Sequence, residues 1–217
     1  SNKLIRVVEH HDWVIYCIIG IILSYIIIFK TLHRDVTLIE FILQPYEESN
    51  NNTLSWVLTT ILFSVSFSVL FSQFIPIVPK FITQNLVVAG ITFNKFGFVL
   101  FSLLLFQLIK NIFVYLFYGS INQLERFGRY SFVAQKYFMV YSLVILVISF
   151  LHYYLHFKTS NAFFYYSSLI FIAFTIKILI YLFHPQQILP RQWYYKFLYI
   201  CTLQILPILV LWKFWFL

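Results

Sequence analysis

Six apolar stretches, each close to the length of a membrane-crossing helix, limit what this chain can fold into. They run from Trp13 to Phe29, Leu54 to Ile77, Phe96 to Tyr118, Tyr137 to Phe157, Ala162 to Phe183 and Tyr194 to Leu217. A helix needs about 20 mostly apolar residues to cross about 30 Å of hydrocarbon, and only a structure that satisfies its own backbone groups is stable there. The expectation is an all-α polytopic membrane helix bundle: one transmembrane domain over residues 1–217, with six transmembrane helices plus interfacial helices. Charged residues make up 10% of the chain, against about 25% in a soluble domain. The first run ends at Phe29–Lys30 without a small-x-small cleavage pattern, so it reads as a retained span.

A formal charge of +8 would point to nucleic acid in a soluble chain. Here the basic residues lie mainly in or beside the breaks between apolar runs, where lipid phosphates are, and no water-facing segment is long enough to fold into a basic domain. The expected partners are membrane lipids and other integral membrane subunits in a hetero-oligomer, with no nucleic acid. Cys17 and Cys201 each sit inside an apolar run and read as buried thiols.

An even number of spans puts both termini on one side. That side carries Lys3, Arg6, Lys80, Lys95, Lys158 and Lys213. The other carries Lys30, Arg34, Arg126, Arg129, Lys136, Arg191 and Lys196, with Lys110 and Lys177 in the nearer halves of their spans. The excess makes the second side cytoplasmic and the termini periplasmic.

Three connections carry structure of their own. Leu38 to Leu43 has the apolar content of a short interfacial helix, which Pro45 would end. The stretch "IPIVPKFITQNLVVAGITFNK" is expected to form an interfacial or re-entrant helix. Gly119 to Lys136 mixes Arg126, Arg129 and Lys136 with Leu124, Phe127, Tyr130 and Phe132, the pattern of an amphipathic helix lying on the membrane surface. Trp13, Trp56, Trp193, Trp212 and Trp215 all fall near span ends, where indole favours the interface.

Few polar groups fall inside the runs. Ser64, Ser68 and Ser72 recur every four residues, which stacks small side chains along one face and favours close helix packing over a polar conduit. Gln107, Lys110 and Asn111 lie at i, i+3 and i+4 of the third span, Lys177 sits at similar depth on the fifth, and Gln204 approaches from the sixth. Two readings stay open for this layer. Either the lysines snorkel while the amides cross-link helices, or the five line a pocket for an anionic headgroup or a partner's acidic residue.

No Asp or Glu lies in a span interior and the chain has only five glycines, features that speak against a secondary transporter. His152 and His156, spaced i, i+4, are the candidate metal ligands, with Glu9, His10, His11 and Asp12 on the same expected side. The plainer account is a pair of interfacial histidines among Tyr153, Tyr154 and Phe157. Nucleophile elbows, zinc-binding His-Glu-x-x-His helices and phosphate loops do not occur, so no catalytic residue and no cofactor is expected.

The closing stretch "WYYKFLYICTLQILPILVLWKFWFL" resembles the C-terminal signature of an uncharacterised Bacteroidota inner-membrane family, a domain of unknown function with a Tyr-x-Cys-x-Leu-[Glu/Gln]-Ile-Leu-Pro pattern. The matching positions are Tyr199, Cys201, Leu203, Gln204, Ile205, Leu206, Pro207 and Lys213. The resemblance implies a multi-pass inner-membrane protein in a diderm envelope and carries no mechanism. Pro207 removes the amide donor for the Leu203 carbonyl, so the last span is expected to bend there. The functional expectation is a non-enzymatic inner-membrane subunit of a larger envelope complex, with protein export as the setting. The alternatives are a lipid-handling enzyme or anionic-lipid carrier, and a metal-dependent membrane redox protein.

Overall fold

The computed structural model describes residues 12–34, 36–48, 52–75, 95–154 and 161–216. Its helices are α1 (Asp12–Leu32), α2 (Leu38–Leu43), α3 (Asn52–Phe71), α4 (Lys95–Ser120), α5 (Leu124–Tyr154), α6 (Ala162–Phe183) and α7 (Trp193–Phe216), with a 3-10 turn, Ser72–Phe74, extending α3. No strand occurs among the described residues, and all of these helices except α2 are long and apolar enough to cross a membrane. The stretch between α3 and α4 that was expected to form an interfacial or re-entrant helix lies outside the described residues.

The bundle is built on α3 and α5, whose apolar windows are 67% and 61% buried, against 17% for α6 and 11% for α7. Small side chains make that close pairing possible. Ser64 and Ser68 are fully buried, and each returns its hydroxyl to the carbonyl one turn back, at 2.9 and 2.7 Å. Ser72 is buried as well. Ser66 and Ser142 meet hydroxyl to hydroxyl at 2.8 Å across the α3–α5 seam, so hydroxyls that would otherwise be stranded in hydrocarbon are satisfied and the backbones approach closely.

Contacts at the two ends show successive spans running antiparallel. At one end Trp13 packs edge-on to Phe96 at 5.6 Å and to Tyr153 at 6.2 Å, while Phe74 meets Phe163 at 5.7 Å. Phe163 in turn meets Phe216 at 5.4 Å. At the other end His33 reaches Ser55 at 3.0 Å and Tyr118 donates to the Ile188 carbonyl at 3.0 Å.

The short helix α2 forms over Leu38–Leu43 because Thr37 and Glu40 close a reciprocal capping box. The Thr37 hydroxyl accepts from the Glu40 amide at 3.3 Å, and the Glu40 carboxylate accepts from the Thr37 amide at 2.7 Å. Those bonds hold the Glu40 carboxyl below its ordinary pKa. Phe41 anchors the helix, fully buried and edge-on to Phe29 at 5.6 Å and Phe132 at 6.2 Å.

Two expectations are corrected. The segment Gly119 to Lys136 does not form a separate surface helix, since Leu124 begins one continuous helix that runs to Tyr154. Its basic residues face protein carbonyls. Arg126 Nη1 donates to Gln187 O at 2.8 Å and Leu189 O at 2.5 Å, Arg129 Nη1 donates to Gln186 O at 3.3 Å, and Lys136 Nζ donates to Ile42 O at 2.9 Å and Gln44 O at 2.5 Å. The last pair places an ammonium at the negative C-terminal end of α2. The tryptophans also divide: Trp13 and Trp193 are exposed, whereas Trp56 and Trp215 are buried. The Trp215 indole N–H donates to Ser102 Oγ at 2.8 Å, so it ties α7 to α4 rather than seeking the interface.

Candidate functional site

The intramembrane polar layer is resolved by the backbone of α4 into two sites. Lys110 and Asn111 are neighbours in sequence and so point about 100° apart on a helix. Lys110 is buried, facing α6 and α7, while Asn111 is half-exposed on the outer surface. Gln107, one turn earlier, lies between these directions and lines a cavity on each side.

The inner cavity has a volume of about 130 Å³ and is walled by α3, α4, α5, α6 and α7. Lys110 and Lys177 enter it from α4 and α6, both buried, so neither snorkels. Lys110 Nζ donates to Gln204 Oε1 at 3.1 Å. Lys177 Nζ lies over the rings of Phe138, Tyr137 and Tyr181 at 5.1, 5.6 and 5.6 Å, and these ring faces are its partly negative surroundings. Among the described residues no Asp or Glu lines the cavity.

Gln204 is placed by an irregularity in α7. Residues Tyr199–Ile205 form a π-helical turn, with the Leu206 amide bonded to the Cys201 carbonyl five residues back. Pro207 gives the physical reason: in a regular helix its ring would collide with the Leu203 carbonyl, and its missing N–H would leave that carbonyl open. The wider turn brings Gln204 Nε2 to Tyr199 Oη at 2.6 Å. On a regular helix residues five apart diverge by about 140° and could not meet on one side. Gln204 is thereby fixed between Tyr199 and Lys110, with its oxygen committed to the lysine.

In the sequence Tyr199 stands only as a position of the C-terminal signature, with no place in the polar layer. It belongs to a buried group with Tyr118, Tyr130 and Tyr181, whose rings lie 5.5 to 6.3 Å apart between pairs from α4, α5, α6 and α7. Its position in that signature, five residues before Gln204 and eight before Pro207, gives no sign of the contact.

The outer cavity is a groove of about 460 Å³ between α3 and α4. Val57, Ile61, Leu108 and Ile112 line it and are exposed, so it opens on the membrane-facing surface. Four polar groups also line it: the amides of Gln107 and Asn111, the Thr60 hydroxyl, which donates to the Trp56 carbonyl at 2.8 Å, and the indole of Trp56, whose buried N–H has no acceptor among the described residues.

His152 is buried with both ring nitrogens engaged. Gln73 donates its Nε2 to Leu70 O at 3.0 Å, so its Oε1 accepts from His152 Nε2 at 3.0 Å; Nδ1 then accepts from the Tyr166 hydroxyl at 2.8 Å. This network joins α3, α5 and α6. His156 lies outside the described residues, and no group of three or more potential metal ligands forms among the described residues. Cys17 and Cys201 are free thiols.

No curated protein and no solved structure matches the sequence. A family model described as Domain of unknown function (DUF4271) matches residues 13–215.

Proposed function

The chain belongs to the family of that domain of unknown function, and from this premise we propose that it is a non-enzymatic integral membrane subunit of a larger envelope complex, with protein export as the setting. The observation that supports this reading is the outer groove. An amide with no partner facing lipid hydrocarbon is unfavourable, whereas Asn and Gln side chains at such depth join helices by hydrogen bonds. Gln107, Asn111 and the Trp56 N–H offer donors and acceptors along a groove whose other lining residues are aliphatic apart from Thr60. The occupant that suits it is a transmembrane helix of another subunit, with a hydrogen-bonding side chain at the level of Asn111.

The membrane in this proposal is a bacterial inner membrane. The end bearing Lys30, Arg34, Arg126, Arg129, Lys136, Arg191 and Lys196 is placed in the cytoplasm, and the opposite end, with Lys95 and Lys213, in the periplasm.

A photocrosslinking residue at Asn111, compared with one at the exposed lipid-facing Ile22 of α1, tests the reading in intact membranes. A single stoichiometric membrane subunit captured from position 111 and not from position 22 is expected. Equal labelling at both positions, or gentle purification of a lone monomer, would sink the proposal.

A further inference from the structure

Lys110 and Lys177 bring two amino groups into the cavity, and the described residues give them one oxygen acceptor, Gln204 Oε1. Tyr141 lines the same cavity, and its buried hydroxyl has no partner among the described residues. The amide of Gln107 adds another donor at the cavity wall. Four donor side chains thus line one cavity where no carboxylate among the described residues balances them, in surroundings of low dielectric constant where an uncompensated charge is most unfavourable.

The rest of the wall is aromatic and aliphatic. It reaches the outer surface at Trp212 of α7, which is exposed. A volume of about 130 Å³ holds little more than a benzene-sized group. A compact oxyanion with the first carbons of a chain fits such a space, and the remainder of the chain would leave past Trp212 into the bilayer.

We propose that the cleft between α4, α6 and α7 binds the oxyanion head of a membrane-borne amphiphile, a carboxylate or a phosphate monoester, between Lys110 and Lys177. The anion supplies the acceptors and the countercharge that the lysines lack, and Tyr141 and Gln107 donate to its remaining oxygens. This site shares the Gln107 wall with the α3–α4 groove, but its lysines lie outside that groove and the proposal does not rest on the subunit reading.

The test uses the full chain in detergent, with oleate, dioleoyl phosphatidic acid and inorganic phosphate as probes, read by native mass spectrometry and by competition with a fluorescent fatty acid. Lys110→Met with Lys177→Met keeps an unbranched side chain one atom shorter while removing both amino groups, and Lys213→Met serves as a control for surface charge. Binding of oleate or phosphatidic acid by the native chain, weakened about tenfold or more in the double variant and unchanged in the control, is the expected result. Equal binding by native and double-variant chains would overturn the site. Phosphate binding as tightly as phosphatidic acid would overturn the amphiphile. Loss of a stoichiometric protein partner from the double variant, with bound lipid unchanged, would assign the lysines to a protein carboxylate and overturn the proposal.

Discussion

Arg126 holds two carbonyls of the α6–α7 connection on one guanidinium nitrogen, and Tyr118 holds a third from the opposite side. Hydrogen bonds from charged groups are worth about 1.5–3 kcal/mol each where removal leaves the partner unsatisfied. Arg126→Ala is expected to lower stability by about that amount in detergent unfolding, and Arg126→Lys to recover only part, since an ammonium lacks the planar fork. Full recovery by lysine would mean that charge alone matters there. His33 gives a pH dependence at the same end of the bundle. Burial pushes its imidazole below the ordinary value of 6.5, so the folded state favours the neutral ring while the unfolded chain takes up a proton more readily. Stability should therefore rise with pH up to about 6.5 and fall as the medium is acidified through the folded-state pKa. Melts of native protein and His33→Gln between pH 5 and 8 check this. The difference between them should be constant above about pH 7 and move against the native chain as the pH falls below 6.5, and parallel curves would refute the assignment.

Within α7, the Tyr199–Gln204 hydrogen bond exists because the π turn brings residues five apart onto one side. A double-mutant cycle with Tyr199→Phe and Gln204→Leu should give a coupling of about 0.6–1.7 kcal/mol, the range for such bonds inside membranes. In a Pro207→Ala background, where a regular helix becomes possible, that coupling should vanish; an unchanged coupling would show that the proline does not set the turn. The proline and the glutamine were legible in the sequence, but the widened turn was not, because a missing N–H predicts disruption without specifying its form. The six spans were legible because length and apolarity are local properties. The fate of Gly119 to Lys136 was not, because mixed charge and apolarity look alike whether arginines meet lipid phosphates or carbonyls of a distant loop. The same limit hid the division of the polar layer: i, i+3 and i+4 spacing groups Gln107, Lys110 and Asn111 on one broad face, yet packing by α6 and α7 covers Lys110 and leaves Asn111 at the groove.

Across the whole molecule, α3 and α5 form a packed spine while α6 and α7 stay mostly uncovered. Much of what attaches these outer helices is side-chain chemistry. His152 bonds Tyr166 of α6, Tyr137 donates to the Ala173 carbonyl at 2.8 Å, Trp215 bonds Ser102, and Lys110 bonds Gln204. The lysine pair is the member of this set that carries an electrostatic penalty along with its contact. Replacing buried ionic groups by apolar side chains of similar volume is often neutral or stabilising by about 1–4 kcal/mol, whereas removing one partner of a bonded pair leaves the other stranded. Three outcomes follow for lipid-stripped protein. Lys177→Met should raise the melting temperature, because it removes a cation whose surroundings are aromatic faces. Lys110→Met should gain less, because Gln204 Oε1 loses its donor. Lys110→Met, Lys177→Met and Gln204→Leu together should gain over Lys110→Met, because no carboxamide oxygen is stranded, but by less than the sum of the separate gains, because the Tyr199 hydroxyl loses its Gln204 partner. A triple variant less stable than the native chain would show that the polar layer holds α4, α6 and α7 together, and that the cations are needed for assembly of the bundle itself.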